Sequence, residues 1–149
     1  MLSRRTGDPD RAEDLAQEVF LRAMEAPPRN PRPWLFAVAL NLVRDDGRRE
    51  ERQARRLQLL RSEQEGRVEP PPDAAVERSE RAALVHEALE QLTETDRGAL
   101  LLKAEGLSYE EIASALGLSR GAVGTTLARA RRRLVEAVRA LERGGDGAR

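Results

Sequence analysis

The side chains of this 149-residue chain with the most capacity for chemistry are arginines, and they are bunched. Pro31 to Ser62 carries eight arginines against four acids, and Ser119 to Arg133 carries five arginines and no acid. Between them, Glu63 to Gly98 reverses the balance, with ten acids against four arginines. A guanidinium presents a planar fork of donors that matches a phosphate, so two basic blocks imply two places where the chain can meet a nucleic-acid backbone. The formal net charge of zero hides this segregation.

Other chemistries are poorly supplied. The acid pairs Asp45, Asp46 and Glu110, Glu111 invite a metal, but neighbours on a helix point about 100° apart and neither pair converges on one ion. There is no cysteine, which removes disulfides, zinc fingers and thiol redox chemistry, and the single histidine, His86, cannot form a cluster. The expectation is no enzyme, no catalytic residue, no metal and no cofactor. No apolar run reaches membrane-spanning length, and Met1 to Asp10 lacks a signal-peptide core, so a cytoplasmic protein without membrane contact is expected. Charged residues make up 35% and aromatics 3%, which leaves thin cores and favours small helical units.

The elements that position the arginines read as helices throughout. Asp10 with Glu13 forms a cap and box, followed by the stripe Ala12, Leu15, Ala16, Val19, Phe20 and Ala23 at helical spacing. Four prolines, Pro27, Pro28, Pro31 and Pro33, close that helix and open another at Trp34. This second helix begins apolar, turns arginine-rich and reaches about Arg61, with Gly47 marking a bend. Glu63 to Arg78, with Gly66 and Pro70 to Pro72, reads as a linker. A helix over about Arg81 to Leu92 follows, then caps at Thr93 (with Asp96) and Ser108 (with Glu111), breaks at Gly106 and Gly117, and a long last helix after Ser119. Its stripe is Val123, Leu127, Ala130, Leu134, Val138 and Leu141.

Ser108 to Leu134 has the pattern of a helix-turn-helix. Such a unit needs a small residue where two helices touch, a glycine that turns in the left-handed region and an apolar residue that seats the second helix. Ala113, Gly117 and Val123 fill these places. Opposite the core stripe of the last helix lie Gly121, Thr125, Ala128 and Arg132, with Arg129 beside them and Arg120, Arg131 and Arg133 on the flanks. Thr125 and Arg129 are the expected base readers, and the flanking arginines the phosphate contacts. On the first long helix, Glu13, Asp14, Gln17 and Glu18 make an acidic face from which Leu21 projects, a pattern suited to docking on another protein.

These stretches resemble a known family. Arg11 to Ala23, RAEDLAQEVFLRA, resembles the polymerase-binding segment of region 2 in extracytoplasmic-function sigma factors of the sigma-70 family. Trp34 to Arg49, WLFAVALNLVRDDGRR, is similar to the next helix of that region, and Leu89 to Leu134 to region 4. The resemblance implies an all-α fold of two small domains. These are a region 2 helical hairpin or bundle at 1–62 and a four-helix region 4 at 79–143, joined by a flexible linker at 63–78 and followed by a disordered tail at 144–149. It implies that Asp14, Gln17 and Glu18, on the face from which Leu21 projects as a further polymerase-binding residue, bind core RNA polymerase at the β′ clamp helices, and that region 4 also touches the β flap. It implies that Asn41, Asp45, Arg48 and Arg49 hold the −10 promoter element, and Arg52, on one helix face with Asn41, Asp45 and Arg48, is expected to join them. The last helix, with Arg120, Thr125, Arg129, Arg131, Arg132 and Arg133, is implied to hold the −35 element. An anti-sigma factor is an implied partner. Asp45 and Arg49 also have the spacing of an i,i+4 ion pair. Trp34 is expected in the core.

Two features depart from the family. Its members carry another helix ahead of the Asp10 cap, and this chain starts near that helix's end, so region 2 is expected to be shortened. In the reader helix, Ala122, Gly124 and Thr126 stand where Thr, Lys and Arg are common. The alternative functions are an ordinary helix-turn-helix regulator, for whose sensing domain the first half is too short, and a polymerase-binding module without initiation activity.

Overall fold

The computed structural model describes residues 1–60 and 74–146, and all the regular structure in them is helical. The helices are α1 Leu2–Thr6, α2 Pro9–Glu25, α3 Pro31–Leu60, α4 Ala74–Glu90, α5 Glu94–Ala104, α6 Tyr109–Leu116 and α7 Arg120–Asp146. The first three form one unit and the last four another.

α1 ends at Gly7, whose φ of 69° is the left-handed turn that lets its N–H reach Ser3 O. Asp8, not Asp10, then caps α2: its carboxylate accepts from the N–H groups of Asp10 and Arg11. The expectation failed because Pro9 occupies the first helical position, where a missing N–H does no harm, and so moves the cap back by two residues. Asp10 sits in the first turn, where a negative charge suits the helix dipole. For the same reason α3 begins at Pro31, three residues ahead of Trp34, with Pro31 and Pro33 both inside its first turn. The helix then runs through Gly47 without interruption.

The core between α2 and α3 is thin and made of small side chains: Ala12 and Val19 against Ala39 and Val43. Arg11 adds a clamp, bonding Asp46 and reaching Glu50 at 2.6 Å on α3. Phe20, expected in the apolar stripe, is 60% exposed. Two helices with alanine contacts lie too close together to bury every position of a broad stripe.

The second unit is better filled. Leu102, Leu107, Ile112, Val123 and Leu127 are fully buried around Ala99 and Ala113. Thr93 caps α5 by accepting from Asp96 N at 3.2 Å. At α6 the box is reciprocal, with Ser108 Oγ accepting from Glu111 N and Glu111 Oε1 from Ser108 N.

Two boundaries differ from the sequence reading. Ala74 to Arg78, expected in the linker, is helical, since alanines and a glutamate extend α4 at little cost; residues 63–73 of that linker lie outside the described residues. The four-helix unit therefore begins at Ala74. The tail expected from 144 is helical to Asp146, because adding residues to an established helix needs no new nucleus; 147–149 lie outside the described residues. The two units also touch, contrary to the picture of independent halves. Phe36 and Leu40 of α3 pack on the core of the second unit, with Leu40 Cδ1 3.5 Å from where a Cβ on Gly98 would stand.

Candidate nucleic-acid and polymerase interface

The helix-turn-helix is built as its spacing demands. Ala113 is buried between α6 and α7, Gly117 turns at φ 67°, and Val123 is fully buried. Leu118 N donates to Ala113 O at 2.9 Å and closes the corner. Gly124 faces the Tyr109 ring, 3.6 Å from where a Cβ would stand. Thr126 is buried and cannot contact DNA.

The five arginines of α7 up to Arg133 divide into two groups. Arg120, Arg131 and Arg132 are exposed, as are Thr125, Gly121 and Ala128. Arg120 pairs loosely with Glu110 at 3.8 Å. Arg129, half-buried, and Arg133, itself still exposed, converge on one carboxylate, Asp96 of α5, which is fully buried. Arg129 donates from Nη2 at 2.6 Å and from Nε at 3.1 Å, and Arg133 from Nη1 at 2.6 Å. Burial pushes the Asp96 carboxyl up, yet the hydrogen bonds from both guanidiniums outweigh it and leave the group below its ordinary value. Asp96 was legible only as a cap partner. Its role as a clamp joins residues 33 and 37 positions apart, and no local pattern carries that.

On α3, Asn41, Asp45, Arg48, Arg49 and Arg52 are all exposed. The i,i+4 pairing of Asp45 with Arg49 is not formed among the described residues; Asp45 lies nearest Arg44, at 4.0 Å. Arg44, which the sequence reading passed over, bonds Glu94 of α5 at 3.3 Å, and Arg48 stands 3.9 Å from the same carboxylate. Beyond Arg48 every residue of α3 is exposed, with Arg49, Arg52, Arg55 and Arg56 forming a basic rod. Trp34 is half-buried, as a residue shared between core and surface.

On α2, Asp14, Gln17 and Leu21 are exposed and Glu18 is half-buried, bonded to Arg22 at 2.7 Å. Phe20 and Met24, 60% and 70% exposed, lie beside Leu21 and enlarge the apolar patch. Phe20 also borders an apolar groove of about 570 Å³ between α1, α2 and α3. Spacing alone had assigned Phe20 to the core, so this part of the surface was missed. Among the described residues no cluster of three potential metal ligands occurs, and no helix is long and apolar enough to cross a membrane.

Comparison with known proteins accounts for both units. Residues 1–53 match the model of sigma-70 region 2 and residues 82–134 that of sigma-70 region 4. The chain is 34% identical over 140 residues to the ECF RNA polymerase sigma factor EcfG of Rhodopseudomonas palustris, covering 87% of this chain and 72% of that one. It is 36% identical over 146 residues to the ECF sigma factor SigL of Mycobacterium tuberculosis, covering 93% and 76%. Among solved structures, CnrH in complex with the cytosolic domain of CnrY is similar with a TM-score of 0.63 at 28% identity, over 93% of this chain and 79% of that one. RpoE in complex with the anti-sigma factor NepR, from Bartonella quintana, shares the fold with a TM-score of 0.60 at 24% identity, over 93% and 87%. Matches to both regions in this order leave no place for an ordinary helix-turn-helix regulator. The chain belongs to the extracytoplasmic-function type of the sigma-70 family, whose members bind core RNA polymerase and direct it to promoters.

Proposed function

We propose that the work of this sigma factor is divided among three helices. α2 docks on the β′ clamp helices through Asp14, Gln17, Glu18 and Leu21, with Phe20 and Met24 extending the patch. α3 holds the −10 element, melted, through Asn41, Asp45, Arg48, Arg49 and Arg52, with Arg44 added to that set. α7 meets the −35 element through Arg120, Thr125, Arg131 and Arg132, while Arg129 and Arg133 position the helix through Asp96. The observation that carries this division is the exposure of the α2 face: acids surrounding Phe20, Leu21 and Met24, three large apolar side chains with nothing on them. Large exposed apolar groups rimmed by charge mark protein interfaces.

The remaining roles follow from the same reading. Region 4 touches the β flap, an anti-sigma factor restrains the protein, the protein catalyses nothing itself, and it works in the cytoplasm. An anti-sigma partner is supported by the complexes in which its structural relatives were solved. The domain reading is region 2 to about residue 60 and region 4 from Ala74.

Asp14→Arg with Gln17→Arg is expected to abolish co-purification with core RNA polymerase, and run-off transcription with it, at unchanged helical content. Retained co-purification would remove the docking assignment.

A further inference from the structure

Folding decides which chemistry α7 can show to a base pair. Arg129 donates to Asp96 from both Nε and Nη2, at 3.1 and 2.6 Å, which fixes its guanidinium against α5. Arg133 holds the other carboxylate oxygen through Nη1 at 2.6 Å. Asp96 itself is fully buried. Turning Arg129 onto a guanine would leave that carboxylate with one partner. Breaking a buried charge pair costs more than one bidentate base contact returns, so Arg129 stays where it is. Guanine reading from the middle of α7 is thereby withdrawn.

The side chains left on that part of the helix are short. Thr125 is exposed, with exposed Gly121 one turn before it and exposed Ala128 one turn after. A Cβ on Gly121 would meet open space. The exposed long side chains stand to either end, Arg120 at the start of the helix and Arg131 and Arg132 beyond Ala128. Such a helix can bring its backbone close to the base edges of a major groove while the arginines hold phosphates. The Thr125 hydroxyl can return to the carbonyl one turn back, as threonine in a helix does, which turns its methyl into the group on offer. Among the four bases, thymine alone carries a methyl on its major-groove edge, and a threonine methyl is one of its apolar partners.

We propose that α7 recognises its DNA element through the C5-methyl group of a thymine, with Thr125 Cγ2 as the contact. Gly121 and Ala128 let the thymine come that close, and Asp96 sets the preference by withholding Arg129. This rests on the assignment of α7 to the −35 element.

The test uses holoenzyme assembled from core RNA polymerase and the full chain. A tight binder selected from random-sequence duplex DNA is resynthesised with each thymine in turn replaced by deoxyuridine, which lacks only the methyl. At one position or more this is expected to weaken binding about fourfold, the value of one apolar carbon removed from water. Thr125→Ser keeps the hydroxyl and drops the methyl, so it should bind the thymine and deoxyuridine duplexes alike there. Thr125→Val does the reverse and should keep the wild-type ratio. The side chain is exposed, so neither change reaches the core. Each guanine is replaced in parallel by deazaguanine, which lacks the N7 acceptor, and Arg129→Ala should show the same ratios as wild type. Insensitivity at every deoxyuridine position overturns the proposal, as does sensitivity that survives Thr125→Ser or is lost in Thr125→Val. A deazaguanine penalty that disappears in Arg129→Ala overturns it too. Arg131→Ala with Arg132→Ala separates these failures from a wider one: unchanged affinity for the selected duplex would mean that α7 is not the DNA-binding helix at all.

Discussion

The residue that most changes the reading of this protein is Asp96. A buried carboxylate is tolerated only with partners, and here two arginines from the DNA-binding helix supply them. Arg129 and Arg133 are thereby held against α5, and Arg131 and Arg132 are left to solvent. Three predictions belong at this scale. Replacing Arg131 and Arg132 with alanine should weaken binding to every sequence and lower the slope of log affinity against log salt by about one unit per lost phosphate contact. Isotherms at several salt concentrations on matched and scrambled −35 duplexes measure this. Arg129→Ala and Asp96→Asn should instead lower DNA affinity and melting temperature together; affinity lost at full stability would make Arg129 a direct contact.

The third prediction concerns acid. The Asp96 carboxyl is depressed in the folded chain, whereas in the unfolded chain it returns to its ordinary 3.8. The unfolded state then binds the proton more readily. Stability from Asp96 is fully present above about pH 4 and is lost as pH falls through the depressed value. Denaturant unfolding of Asp96→Asn should show a loss of roughly 2–3 kcal/mol at pH 7, in the range of hydrogen bonds to charged groups. The gap to wild type should shrink below pH 4, and a gap constant down to pH 2 would remove the clamp.

At the scale of elements, local rules account for most starts and stops. Ser108→Ala removes the hydroxyl that accepts from Glu111 N, leaves the Ser108 N–H donating to Glu111, and should cost about 1 kcal/mol, measured by urea denaturation. Gly124 is the opposite case. It lies in the second turn of α7 with an ordinary van der Waals gap to Tyr109, so Gly124→Ala should stabilise region 4 by about 0.5–1 kcal/mol. A lower melting temperature would show that the Tyr109 contact is tighter than it stands.

At the scale of the whole molecule, the two units share a contact through Phe36, Leu40 and Gly98. Shared apolar surface couples unfolding. Calorimetry of the wild type should therefore give one transition, and Leu40→Gln should split it, with the thin-cored region 2 melting first. Two transitions in the wild type would mean that the contact contributes nothing to stability.

Much was legible in the residues alone, because it depended on neighbours a few positions apart. The all-helical character, the α6 box, the glycine corner at Gly117 and the buried places of Ala113 and Val123 follow from 3.6-residue periodicity and from conformations open chiefly to glycine. The match of Arg11–Ala23 and Trp34–Arg49 to region 2 and of Leu89–Leu134 to region 4 was equally local. Long-range pairing was not legible. Nothing near Arg129 announces Asp96, nothing near Glu94 announces Arg44, and Phe20 looked like core because a stripe states which residues share a face but not how wide a face its neighbour covers. The chemistry of each helix is a property of the chain within a few turns. Which arginines remain for DNA is decided by which carboxylates folding brings to them.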